Sequence, residues 1–222
     1  MDDLDKFNKK SHNKVGIKGM GSMQHQRDKK TIGYSQSGDG TDTAANLENG
    51  QTISYQLIGR SPQGEKDTLR VCQILVSRLN NLGGNWNSPI SVNEGVVDCE
   101  TSNRNYKSFR IRFQVVRADA NPKLWKSLSQ HGSVGKTQNI ESLVETIKLA
   151  IESKANDRKI PKISRKGITL TLDATKLPAL SFDTVIEAFS SKWSVWASEL
   201  GFESIWLVGP NESLTWQLDI QT

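Results

Sequence analysis

Apolar positions recur along this chain in two rhythms, and the points where the rhythm changes mark the elements. From Thr52 to Ile58 (TISYQLI), Ile53, Tyr55 and Leu57 alternate with polar neighbours, the period of a half-buried strand. Beyond Ser61-Pro62-Gln63-Gly64 the step lengthens. Leu69, Cys72, Val76, Leu79 and Leu82 recur at three- and four-residue intervals and predict a helix from Glu65 to Leu82, closed by Gly83-Gly84. Two strands follow, EGVVDCE over 94–100 and FRIRFQVV over 109–116, joined by the polar TSNRNYK and close enough to form a hairpin. The second strand alternates throughout. Phe109, Ile111, Phe113 and Val115 face one way, and Arg110, Arg112, Gln114 and Val116 face the other.

Further on, Asn121-Pro122 opens a short helix through Leu124, Trp125 and Leu128. Ile140, Leu143, Val144, Ile147 and Ile151 mark a longer amphipathic helix, with Glu141, Glu145, Lys148 and Glu152 on its outer side. The stretch Lys159–Lys166 (KIPKISRK) reads as an exposed loop. Ile168 to Leu172 (ITLTL), ending in Asp173, reads as a central strand. Ser181 caps a helix whose apolar positions are Val185, Ile186, Phe189, Trp193, Trp196 and Leu200. Two strands, SIWLV (204–208) and LTWQL (214–218), complete the pattern. This order predicts an α/β fold, a single mixed β-sheet flanked by helices in one domain over residues 46–222. Residues 1–45 are rich in Gly, Ser, Asp, Lys and Gln without either period, and read as a disordered N-terminal arm. The tryptophans read as core residues, with a base-stacking aromatic platform as the alternative.

Composition narrows the function classes. No apolar run approaches the roughly 18 residues of a membrane span, and no apolar stretch follows MDDLDKFNKK as a secretory signal requires, so a cytoplasmic location is expected. Two cysteines, Cys72 and Cys99, and three scattered histidines build neither a disulfide scaffold nor a structural zinc site. Neither a GxxxxGK[ST] phosphate loop nor a GxSxG elbow occurs, and His131, in QHGSVGK, reads as a surface histidine in a loop.

Charge adds more. The net +5 is uneven: residues 104–166 hold 15 basic side chains against 5 acidic, a net +10, and residues 167–222 hold 2 against 7, a net −5. A block this basic points to a polyanion partner, of which nucleic acid is the commonest. Arg110, Arg112, Arg158, Lys159, Lys162, Arg165 and Lys166 are the candidates to track a phosphate backbone. The acidic C-terminal part leaves open a protein partner or a homodimer that meets the same block.

The chemistry centres on the hairpin. Asp98 shares a strand face with Glu100 and Val96, and Gln114 shares one with Arg112. Where those faces coincide, a carboxylate and an amide oxygen flank one point. Such a pair suits a hard divalent cation such as Mg²⁺, which takes few protein oxygens and keeps several waters. The ion would polarise a phosphate and activate water, with a nearby Lys or Arg offsetting developing negative charge. Asp173 is the alternative acid, because ligands of open α/β sheets gather at strand C-termini, and it reads equally as the cap of the turn that follows.

The succession of helix, EGVVDCE, FRIRFQVV, helix and ITLTLDA resembles the core of the restriction-endonuclease-like superfamily, over residues 52–175. That family's signature is an Asp on one strand, then an acidic residue, any residue and a Lys on the next, in a core ordered α β β β α β. By position the resemblance makes Asp98 the metal-binding Asp and Gln114 the occupant of the acidic position, where some relatives carry Gln. Glu65 is similar to the acidic residue that some members place on the first helix. Val116 stands where the catalytic Lys belongs, so the charge falls to Lys154, as in relatives with a migrated lysine, or to Arg112. The resemblance implies a Mg²⁺-dependent endonuclease or phosphodiesterase acting on DNA, in restriction, repair or defence. The departure at Val116 keeps a catalytically silent descendant open, one that binds nucleic acid or a protein.

Overall fold

The computed structural model describes residues 64–118, 133–177 and 181–220, a few positions between 126 and 131, and three N-terminal strands as backbone. Those strands are β1 (Lys30–Gln36), β2 (Asp42–Glu48) and β3 (Thr52–Ile58). Together with β7 (Ser133–Asn139) they form an antiparallel sheet in the order β1-β2-β3-β7. β1 and the start of β2 fall within the segment read above as a disordered arm. The remainder of that segment, and most of the helix expected after Asn121, lie outside the described residues.

The second sheet is mixed and has six strands: β4 (Ile90–Glu94), β5 (Val97–Ser102), β6 (Arg110–Arg117), β8 (Ile168–Asp173), β9 (Ser204–Val208) and β10 (Thr215–Gln217). Their spatial order is β10-β9-β8-β6-β5-β4. β4, β5 and β6 form an antiparallel meander, β6, β8 and β9 run parallel, and β10 is antiparallel to β9. Parallel neighbours need crossover connections. Helix α2 (Ile140–Ala155), with a four-residue helix α3 (Lys162–Arg165), leads into β8, and α4 (Phe182–Ser198) joins β8 to β9.

Each face of this sheet is covered. Helix α1 (Glu65–Asn81) lays Val71, Cys72, Leu75 and Val76 against Cys99, Phe113, Val115, Trp206 and Val208. On the other face α2 and α4 pack Leu143, Ile147, Ile151, Val185 and Phe189 against Ile168, Leu170, Leu172, Ile205 and Leu207. Strand β8 is buried along almost its whole length because it is central and covered on both sides. The expected mixed sheet flanked by helices is therefore the observed architecture. Among the described tryptophans, Trp206 is buried and Trp86, Trp193, Trp196 and Trp216 are partly buried against the two cores, which accounts for them as packing residues.

Local signals fix the ends of the elements. The Asn139 side chain accepts from Ser142 N at 2.7 Å and starts α2 directly from the end of β7. His131, read above as a loop residue, is helical and exposed, and the strand β7 begins two residues after it. The Lys159–Lys166 loop likewise contains α3. No helix among the described residues is long and apolar enough to cross a membrane.

Candidate active site

The geometry starts from strand parity. Cys99 pairs with Phe113, and both side chains lie under α1. Their neighbours Asp98, Glu100, Arg112 and Gln114 therefore project to the opposite face, the side of α2 and α4. The two faces named from sequence do coincide there. Gln114 Nε2 donates to Asp98 Oδ2 at 2.9 Å, and Val115 N donates to the same oxygen at 2.7 Å. Gln114 is buried and Asp98 half-buried.

Burial pushes the Asp98 carboxyl above its ordinary value, against the pull of the Val115 N–H, the Lys154 ammonium and the Gln114 amide. Lys154 lies in the last turn of α2, half-buried, its side chain without an ion pair or hydrogen bond among the described residues. The structure therefore brings Asp98, Gln114 and Lys154, from three separate segments, to one side of the sheet.

Other candidates are placed differently. Glu65 is exposed in the first turn of α1, and its charge acts on the Cys99 thiol, which faces α1. It is on the far side of β5 from the Asp98 carboxylate. Val116, in the lysine position, packs into the α2/α4 core. Arg110 donates to Glu100 Oε1 at 3.0 Å on the exposed surface. Arg112 is exposed beside a cleft of about 330 Å³ that Glu100, Lys159 and Ser164 also line. Arg158, Lys159, Lys162 and Lys166 are all exposed.

Arg165 requires a correction. It is 8% exposed, and its guanidinium donates to Ile160 O at 3.1 Å, Leu200 O at 2.8 Å and Ala155 O. Those bonds tie the end of α2 to the turn before β8 and to the end of α4. With its donors committed inward, Arg165 does not track a phosphate backbone.

A second polar group lies under α1, at the C-terminal ends of the parallel strands. Asp173 Oδ1 accepts from Thr175 N at 3.0 Å and Thr175 Oγ1 at 2.6 Å, the turn-capping role that its position suggests. Arg117 is its register partner on β6. Burial lowers the Arg117 guanidinium from its ordinary value, while Asp173 and Asp67 hold it up. Burial raises Asp173, against Thr175, Arg117 and Lys176. Sequence reasoning did not connect Arg117, Asp67 and Lys176 to Asp173. The signal was the parity of FRIRFQVVR, which puts Arg117 on the face of Phe113 and Val115. These charges offset one another, so the group reads as a structural knot.

The residues can be weighed against a divalent cation. Asp98 supplies a carboxylate and Gln114 an amide oxygen, both hard donors. A buried carboxylate whose negative form is disfavoured is also where a cation lowers the free energy. The amide as it stands turns its nitrogen to Asp98, so cation binding requires it to rotate and present Oε1. Among the described residues no group of three or more His, Cys, Asp and Glu side chains converges as a metal cage. No family model, curated protein or solved structure matches the chain.

Proposed function

We propose that this protein is a Mg²⁺-dependent nuclease acting on nucleic acid, DNA in the first place. The observation that carries the reading is the convergence of a half-buried carboxylate, an amide and a lysine charge with no ion pair among the described residues, from β5, β6 and α2. Groups with shifted pKa values collect at functional sites because catalysis needs charges held where water alone would not hold them. Once β7, which pairs in the other sheet, and the four-residue α3 are set aside, the order α1 β4 β5 β6 α2 β8 agrees with the one that the restriction-endonuclease resemblance implies, which supports the same reading.

The roles follow from the chemistry. Asp98, and Gln114 once its amide has rotated, would hold the cation, which would supply polarisation of the phosphate and a lowered pKa for an attacking water. Val115 N–H fixes the Asp98 carboxylate on its strand. Lys154 places a positive charge beside the pair, where it offsets negative charge growing on the phosphate oxygens. Arg112 and the exposed lysines of the 158–166 turn attract the backbone on either side.

The test is cleavage of plasmid and single-stranded substrates with Mg²⁺ or with chelator, by wild type and Asp98→Ala. Product from wild type alone, and only with metal, is expected. Equal product from both, or none from either, removes the catalytic reading. A second reading, a silent module that binds nucleic acid or a protein, is favoured by two observations. Val116 is a core residue, and Gln114 offers its nitrogen to Asp98. Binding that weakens steeply with salt, without product, selects that module.

A further inference from the structure

The cleft next to the Asp98–Gln114 pair has chemistry of its own. Its walls carry Arg112 from β6 and Lys159 and Ser164 from the turn between α2 and β8. Glu100 also lines it, but Arg110 pairs with that carboxylate at 3.0 Å. Arg112 and Lys159 form no salt bridge among the described residues, so beside the Arg110-paired Glu100 the cleft carries two further cations and a hydroxyl.

The backbone around the cations is fixed. Arg112 lies against Gly167, where a Cβ would stand 3.2 Å from Nη2, and Gly167 has φ +85°, a conformation that disfavours any side chain. The Lys159 backbone N–H donates to Asp157 Oδ1 at 2.9 Å, and its neighbour Ile160 is buried. The Arg165 guanidinium anchors the rest of the turn through its three carbonyl bonds.

Position supplies the second half of the argument. Arg112 and Gln114 are two residues apart on one strand face, so the cleft and the Asp98–Gln114 pair are separated by about 7 Å. That is the scale of one nucleotide step along a strand. We infer that this cleft seats the backbone phosphate next to the one at Asp98, so that the protein grips a polynucleotide through at least two consecutive phosphates. Arg112 meets that phosphate with its planar fork, Lys159 as a point charge and Ser164 with its hydroxyl. The inference rests on the nucleic-acid reading above and names a subsite of it.

The test needs no metal and no cleavage. Binding of a fluorescent single-stranded oligonucleotide is measured in chelator across a salt series, with inorganic phosphate as competitor. The proteins are wild type, Arg112→Gln, Lys159→Gln and, as control, Lys66→Gln, an exposed charge at the start of α1. Each cleft variant is expected to bind about tenfold more weakly, the scale of one charge-assisted contact, with a salt slope smaller by about 0.7. Lys66→Gln should bind as wild type does, and millimolar inorganic phosphate should leave the oligonucleotide bound. Cleft variants that bind like Lys66→Gln, displacement by inorganic phosphate, or no binding by wild type each overturn the inference. Failure of the catalytic reading shows separately, as Mg²⁺-dependent product that Asp98→Ala leaves unchanged.

Discussion

Replacing Arg165 by Met separates structure from binding at one position. The substitution keeps most of the apolar stem and removes every donor. Two of the three carbonyls it serves, Ala155 O and Ile160 O, are in buried bonds, while Leu200 O is part-buried and can rehydrate. An orphaned buried acceptor costs about 1–3 kcal/mol, so two of them cost about 2–6 kcal/mol. Removing the guanidinium also relieves its own desolvation, which draws the net loss to about 3 kcal/mol. The loss of contact with the Phe202 ring, 5.5 Å from the guanidinium carbon, acts in the same direction. For a domain of this size each kcal/mol moves Tm by about 2–4 °C, so the expected drop is about 6–12 °C. The assay pairs thermal and urea unfolding with oligonucleotide binding against salt. The folded variant should keep the wild-type salt slope. A phosphate contact would behave in the opposite way, with unchanged stability and a slope smaller by about 0.7–0.9. That second pattern would refute the assignment of Arg165 as a clamp.

Other expectations follow from the same geometry. Asp98 has a folded-state pKa above its unfolded value, so the native state binds its proton more tightly and stability falls as pH rises through the raised pKa. Asp98→Asn, which keeps an acceptor for Gln114 and Val115, should therefore be at least as stable as wild type at pH 7. Its advantage should shrink in melts taken below the ordinary carboxylate range, and a variant less stable at pH 7 than at pH 4, relative to wild type, contradicts this. Cys72 and Cys99 are both 0% exposed, and burial together with the neighbouring thiol holds Cys72 in its protonated form. Neither should react with an aromatic disulfide reagent in the native protein, and both should react once urea unfolds it; rapid native labelling would show the α1 interface to be open. Gly167→Ala forces a Cβ into positive φ and toward Arg112, and should cost about 1–2 kcal/mol in urea unfolding. An unchanged midpoint would show that the turn adapts.

What the sequence reveals depends on how strictly each segment keeps a period. FRIRFQ alternates without a break, so the opposite faces of Phe113 and Gln114 are legible before any coordinates, and they are the faces observed. Helices α2 and α4 are equally legible, because Ile147 and Phe189 belong to their apolar stripes; in α1 the stripe finds Cys72 and Val76 but passes over the buried Leu75 and includes Leu82, which is 59% exposed. Strand β4 is not: ISVNE is short, and Ile90 is 57% exposed, so hydrophobicity there does not report burial. The SVGKTQN of β7 carries one apolar residue, and its pairing with β3 rests on backbone hydrogen bonds that composition does not encode. Within the site, parity shows that Asp98 and Gln114 can share a face, but the direction of the Gln114 amide is a three-dimensional fact. Arg165 stands in a run of like charges, and nothing in that run distinguishes the one guanidinium that turns inward.

Lys154 gives the most direct measurement of the central claim. Lys154→Met removes the charge that acts on Asp98 while leaving an apolar stem in the last turn of α2. In single-turnover cleavage with saturating Mg²⁺, the variant should cut at least about a hundredfold more slowly than wild type, the cost of losing one positioned charge at a transition state. Its affinity for uncut DNA should change by no more than about tenfold, since one phosphate contact is the most it can lose. Wild-type cleavage rates in Lys154→Met would show that Asp98, Gln114 and Lys154 do not act as one site.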